Sequence, residues 1–217
     1  MTRAVPVVLA APSGTGKTTL ARGLVEASDR FVFSISVTTR EPREGERDGV
    51  DYIFVNRDAF EAMRDAGGLA EWAEVHGRLY GTPRVALEAA ASCGEHIVLD
   101  IDVQGARQIR EAIPDALLIF VLPSSVDVLM ARLSGRGTEG KDDVALRLES
   151  ALAELLAAPD FDYLVVNDDL ASCLKDIENI VAGWPAGAGG SVPLEHIDVF
   201  RAGIARILAE KYENSSN

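Results

Sequence analysis

Cysteine is scarce in this chain: two residues in 217, Cys93 and Cys173, at a spacing that suits neither a metal site nor a disulfide framework. Both are expected to be reduced thiols, as in a cytoplasmic protein. The three histidines, His76, His96 and His196, do not cluster and read as surface or packing residues. Positive charge is also short. Twenty-one Lys and Arg stand against 34 Asp and Glu, for a net charge of −13. That balance lacks the broad basic field which a nucleic-acid or anionic-membrane binder needs. No apolar run approaches the ~20 residues that span a bilayer. The run Val5 to Ala10 is too short for a signal peptide, and it feeds directly into a glycine-rich loop that cleavage would destroy.

What is present is a core-forming composition, 47% hydrophobic, at a length that holds one α/β domain with insertions or two small domains. Apolar extended segments alternate with amphipathic ones. Strands are expected near Val5–Ala10, Phe31–Val37, Tyr52–Val55, His96–Ile101, Leu117–Leu122 and Tyr163–Val166, with an extended or hairpin region over Leu69–Leu79. Helices are expected over Thr18–Ala27, Asp58–Ala66, Pro83–Cys93 (capped by Thr82), Gln104–Ile113, Val126–Leu133, Asp142–Leu156 and Leu170–Val181. Such alternation implies a mostly parallel sheet with helices on both faces. Gly183 to Pro193 reads as a linker, and Leu194 to Tyr212 as a helix whose apolar stripe docks on the protein body or on a partner chain. Residues 213–217 form a polar tail. No internal repeat is evident.

The first stretch that carries chemistry is Ala11-Pro12-Ser13-Gly14-Thr15-Gly16-Lys17-Thr18-Thr19. It follows a strand and opens a helix. Glycines at 14 and 16 let backbone N–H groups turn inward around phosphate oxygens, and the helix N-terminus faces the same anion. Lys17 reaches the β- and γ-phosphates of a nucleoside triphosphate, and the Thr18 hydroxyl suits Mg²⁺. The phosphate-loop pattern has glycine at its first position, where this chain has Ala11, the smallest side chain that could replace it. In an acidic chain, two arginine islands also stand out as candidate phosphate contacts: Arg40, Arg43 and Arg47, then Arg132, Arg136 and Arg147. Asp100 ends an apolar strand expected to face the ligand crevice, where a carboxylate is a second handle on Mg²⁺ or its waters.

The second stretch is Ser36, Thr38, Thr39, Arg40, Pro42, Arg43, Gly45, Glu46, Gly49, Asp51 and Tyr52. Glu71-Trp72-Ala73, Tyr80-Gly81-Thr82 and Leu99 through Gly105 follow in order. With the phosphate loop, this set resembles guanylate kinase, a nucleoside monophosphate kinase of the P-loop class and here of bacterial type. The likeness covers residues 5 to about 181.

The resemblance implies ATP and GMP as partners, with Mg²⁺ accompanying ATP. It places ATP on Ser13, Gly14, Thr15, Gly16, Lys17, Thr18 and Thr19, with Arg132, Arg136 and Asn167 as further contacts. Residues matching Arg40, Arg43, Tyr52 and Tyr80 grip the monophosphate, and Glu46 is expected to hold an arginine in place. Guanine presents N–H donors beside a carbonyl acceptor. Glu71 and Asp102 match acceptors for those donors, and Ser36 and Thr82 match hydroxyl donors to the carbonyl. Lys17, Arg136, Arg147 and Asp100 are the expected catalytic set, with Thr18 and Asp100 toward the metal. The implied fold is a P-loop-type parallel sheet flanked by helices, with an inserted mixed α/β GMP-binding subdomain and a mobile lid. The implied parts are a core (1–35, 91–133, 148–182), the insertion (36–90), the lid (134–147), the linker (183–193) and the terminal helix and tail (194–217). Arg78 stands where the family commonly has asparagine, and Gly140 and Lys141 are atypical for the lid. Two other readings are an inactive scaffold of the same fold and a kinase with a different acceptor; the intact phosphate loop argues against the first and the guanine-matching residues against the second. A monomer or small homo-oligomer is expected.

Overall fold

The structure, a computed structural model, describes residues 4–75, 77–134, 141–184 and 192–211. The expected lid arginine Arg136 and its glycines Gly135, Gly137 and Gly140 lie outside the described residues, as do His76, most of the expected linker and the tail. The chain divides into two compact units. One holds residues up to Leu9 together with Ala21–Leu117. The other holds Ala10–Leu20 and the chain from Leu118 onward.

The first unit contains two sheets. β1 (Val7–Ala10), β2 (Phe31–Phe33) and β7 (His96–Asp100) pair in parallel, with Phe31 opposite His96, Val7 opposite Val98 and Leu9 opposite Asp100. Val7, Val8, Leu9, Val98 and Leu99 are fully buried, as continuous apolar runs require in a parallel sheet covered on both faces. The predicted strand Phe31–Val37 is split. Its first three residues join this sheet, while β3 (Val37–Thr38) starts a second sheet in the order β4-β3-β6-β5. There β4 (Ile53–Phe54) runs parallel to β3, and β5 (Leu69–Val75) and β6 (Arg78–Pro83) form the antiparallel hairpin expected near 69–79. Its turn needs Gly77, whose φ of +75° other residues seldom adopt.

Helix α2 (Arg57–Asp65) starts where Asn56 accepts the N–H of Ala59, and it sinks Phe60 into the second sheet beside Val37, Leu69 and Leu79. Helix α3 (Arg84–Cys93) corrects one expectation. Thr82 does not cap it: β6 continues to Pro83, which occupies the cap position without a side-chain hydrogen bond, and the Thr82 hydroxyl is used elsewhere. Helix α4 (Val103–Ala112) packs on β5.

The second unit carries α1 (Lys17–Ala27) at its start, β8 (Leu117–Pro123), α5 (Val126–Ser134), α6 (Lys141–Leu155), β9 (Tyr163–Asn167), α7 (Leu170–Gly183) and α8 (Leu194–Lys211). The last residues of α1 and the first residue of β8 belong to the other unit. β8 is buried along its whole length and pairs in parallel with β9. The apolar stripe of α8 (Ile197, Phe200, Ile204, Ile207 and Leu208) is buried, and the helix packs on α5 and α6 of its own chain. Gly203 permits that approach, since a Cβ there would lie 2.8 Å from a Val126 methyl. Of the cysteines, Cys93 is exposed and Cys173 buried, which pushes the Cys173 thiol up to about 11.

Phe60 fills the centre of the small cluster that holds the second sheet together. Phe60→Ala is therefore expected to cost about 3–5 kcal/mol of stability in urea unfolding, and a loss under ~1 kcal/mol would show that the cluster collapses around the cavity.

Candidate functional site

Each unit carries half of the predicted residues, and each half is built differently. In the second unit the loop from Ala11 to Gly16 leaves β1 and enters α1. Gly14 and Gly16 have φ of +89° and +85°, the left-handed backbone that glycine adopts freely. Both are also crowded. A Cβ on Gly14 would lie 2.9 Å from a Leu133 methyl, and one on Gly16 would lie 3.0 Å from Asn167 Nδ2. The Thr15 carbonyl between them accepts from Arg132 Nη1 at 2.7 Å and from Asn167 Nδ2 at 2.9 Å. Arg132 and Asn167, predicted as ATP contacts, thus hold the loop itself in this structure. These two bonds fix the backbone of the loop between the glycines. Arg147 Nη2 donates to Ser13 Oγ at 2.8 Å, which brings α6 to the same loop. Lys17 opens α1, whose first turn has no acidic residue to compensate the helix dipole. Thr18 and Thr19 are exposed.

In the first unit, Arg40 and Glu46 form a fork. Arg40 Nη1 and Nη2 donate to the two Glu46 oxygens at 2.9 and 2.8 Å. The Arg40 guanidinium lies 5.1 Å from the Tyr52 ring centre and 5.8 Å from that of Phe54, and Tyr52 meets Tyr80 edge-on at 6.1 Å. The Thr38 hydroxyl donates to the Leu79 carbonyl and accepts the Arg40 N–H, fixing the start of this segment. The Arg43 backbone N–H donates to Glu46 at 2.8 Å, while its side chain is exposed. Glu46 is therefore held below its ordinary value, chiefly by the Arg40 guanidinium. Arg40 is held above its ordinary value by the same bond, and burial, with a contribution from Asp100, pushes the Tyr52 phenol up. Arg78 is exposed at the start of β6 and lines a cavity of about 370 Å³ with Arg40, Phe54, Asn56 and Arg57.

Among the described residues the buried acidic side chain is Glu71, on β5 and 4% exposed. The fully buried Thr82 hydroxyl donates to its Oε1 at 2.7 Å. Its Oε2 faces α4, where a Cβ on Gly105 would lie only 2.5 Å away. Asp102 caps α4, accepting the Gly105 N–H at 2.7 Å through Oδ1. Ser36 is half-buried just before β3, and its carbonyl accepts the Ile53 N–H. Asp100 is half-buried at the end of β7.

Residue-type reasoning named Thr38 and Gly105 only as parts of a motif, with no role of their own, and did not single out Gln108. Gly105 has a visible signal, because a glycine in the first turn of a helix costs about 1 kcal/mol and calls for a packing reason. Gln108 has none: its amide clasps the Trp72 N–H and carbonyl at 3.1 and 2.7 Å, a contact legible only once α4 lies on β5.

Comparison with known proteins points to one family. A family model described as guanylate kinase matches residues 3–183. The chain is 47% identical to a guanylate kinase of Aromatoleum aromaticum, over 81% of this chain and 86% of that one. It is 52% identical to a guanylate kinase of Nitratidesulfovibrio vulgaris, over 80% and 84% respectively. The crystal structure of guanylate kinase from Anaplasma phagocytophilum superposes with a TM-score of 0.72 at 31% identity, covering 97% of this chain and 96% of that one.

The Arg40–Glu46 fork has a pH signature. Because the folded Glu46 pKa is depressed, the stability it contributes is present above the unfolded carboxylate value, ~4.3, and is lost as pH falls through the folded value. Carboxyl NMR should place the Glu46 midpoint below ~4.3, and Glu46→Gln should flatten the acid limb of the stability curve. A midpoint at or above the ordinary value would contradict the fork.

Proposed function

This chain belongs to the guanylate kinase family, and we propose that it transfers the γ-phosphoryl of ATP to GMP, and to dGMP, by in-line displacement. The observation that carries the acceptor assignment is the buried pair Glu71–Thr82 against Gly105. A carboxylate kept from water must receive hydrogen bonds, and guanine supplies two adjacent N–H donors on one edge. With the Thr82 proton on Glu71, Ser36 is the hydroxyl left to donate to the guanine carbonyl, and the second Asp102 oxygen accepts from the base. Adenine offers an acceptor ring nitrogen and reverses polarity at position six, so it would leave these groups unpaired. No group in this set requires a ribose 2′-hydroxyl, which is why dGMP is included.

Arg40, Arg43, Tyr52 and Tyr80 would hold the acceptor monophosphate. Glu46 presets Arg40, so the guanidinium is ordered before the substrate arrives. The donor triphosphate would lie on residues 13–19, with Lys17, Arg147 and the lid residue Arg136 meeting charge on the moving group. Arg132 and Asn167 act by keeping the Thr15 carbonyl turned away. The division into core, insertion 36–90 and lid 134–147 belongs to the same proposal, since in-line transfer requires the two phosphates to meet end to end without water between them.

The donor set fits Mg²⁺. Thr18 offers a hydroxyl and Asp100 a carboxylate, both hard oxygen ligands. Mg²⁺ is commonly held by one or two protein oxygens with waters and phosphate oxygens beside them, which suits these two donors. When bound, Mg²⁺ supplies charge neutralisation on the β- and γ-phosphates.

Glu71→Gln should lower kcat/KM for GMP roughly 10- to 100-fold while leaving the KM for ATP within about twofold. Equal losses for both nucleotides would sink the guanine assignment. Lys17→Ala should lower kcat on the order of a hundredfold or more with the fold retained by circular dichroism. Undiminished turnover would remove the phosphate loop from the chemistry.

A further inference from the structure

We propose that Arg22 is a positioning residue for the acceptor clamp, fixing the turn that carries Tyr52 onto helix α1; the inference rests on the acceptor reading above. Arg22 Nη2 donates to Asp51 Oδ1 at 2.6 Å. The pair joins residues 29 apart in sequence. Both partners are restrained from other sides. The Arg22 guanidinium lies 5.1 Å from the centre of the Phe33 ring on β2. Asp51 uses its second oxygen to accept the Arg47 N–H at 2.9 Å, and its own N–H donates to the Arg47 carbonyl. The turn is closed further by Gly49 N–H on the Tyr52 carbonyl and by Asp48 accepting the Phe54 N–H.

Most surface ion pairs contribute little, because two long side chains must be ordered in water to make them. This one differs in two ways. The side chains are 40% and 23% exposed, against 57% and 37% for the helical pair Arg57–Glu61. Its carboxylate is already fixed by a backbone bond, so little further order is needed. Asp51 is the residue next to Tyr52. The Tyr52 ring in turn lies against the Arg40 guanidinium and the edge of Tyr80. Displacing Asp51 would shift Tyr52 and with it the packing that presets Arg40. Arg22 itself is five residues past Lys17 along α1 and needs no contact with either nucleotide. Its effect would be on acceptor affinity, not on donor affinity or on the transfer step.

The test measures GMP and ATP affinity by calorimetry, and KM and kcat for each nucleotide, in the full chain with Arg22→Ala, Arg22→Lys, Asp51→Asn and the Arg22→Ala/Asp51→Asn double variant. Arg22→Ala and Asp51→Asn are each expected to weaken GMP binding about five- to tenfold. ATP affinity and kcat at saturating GMP should stay within about twofold. The double variant should bind GMP no more than twofold worse than the weaker single variant, since both remove the same contact. Arg22→Lys should recover most of the loss. Unchanged GMP affinity in both single variants, even with a lowered melting temperature, would reduce the pair to a structural contact and overturn the proposal. So would multiplicative losses in the double variant, or equal weakening of ATP and GMP. A wild-type protein that binds GMP without turning it over would refute the proposed activity, while the affinity arms would still decide the role of Arg22.

Discussion

A buried carboxylate is the constraint around which the acceptor half of this protein is organised. Glu71 is almost completely withdrawn from water, and a carboxyl group in that position is tolerated only where hydrogen bonds replace its hydration. The protein supplies one from Thr82 on the neighbouring strand. It also removes the side chain at position 105, so that α4 can lie against the second oxygen at the expense of helix propensity. Three elements, β5, β6 and α4, are thereby brought to one point. Glu71 and Asp102 are both hydrogen-bond acceptors, the type that the proposed guanine edge calls for, which makes the packing constraint and the proposed specificity the same feature.

The donor half solves a different problem. A loop that is to present N–H groups to phosphate, as proposed for residues 13–19, has to send its carbonyls elsewhere. Here the Thr15 carbonyl is held by Arg132 from α5 and Asn167 from the end of β9, and the two glycines beside it accept both the left-handed backbone and the close neighbours. Arg40 is prepared in a comparable way, its guanidinium forked by Glu46 and stacked on Tyr52. In both units side chains next to the proposed contacts hold them in place, as the proposed transfer by positioning would need.

Much of this was legible in the residues. The glycine loop with Gly14, Gly16 and Lys17 announced itself by pattern, as did the alternation of buried strands and amphipathic helices and the apolar stripe of α8. What escaped was set by tertiary approach. Thr82 read as a helix cap because Pro83 followed it, and capping is a local rule. The strand pairing and the pull of Glu71 overrode it. The expectation for Arg132 and Asn167 came from the family resemblance, and their hold on the Thr15 carbonyl was not visible, because those hydrogen bonds link residues more than a hundred positions apart. Phe31–Val37 read as one strand because extended segments carry no mark of which sheet they join.

The most direct test of the central claim is a coupled ADP-release assay with MgATP against GMP, dGMP, AMP, UMP and CMP. Rapid turnover is expected with GMP and dGMP, and kcat/KM for AMP should be lower by a factor on the order of 10³–10⁵, since the edge of adenine mismatches the proposed acceptors. Comparable efficiency with AMP, or no turnover with any acceptor from a folded protein that binds GMP, would contradict it.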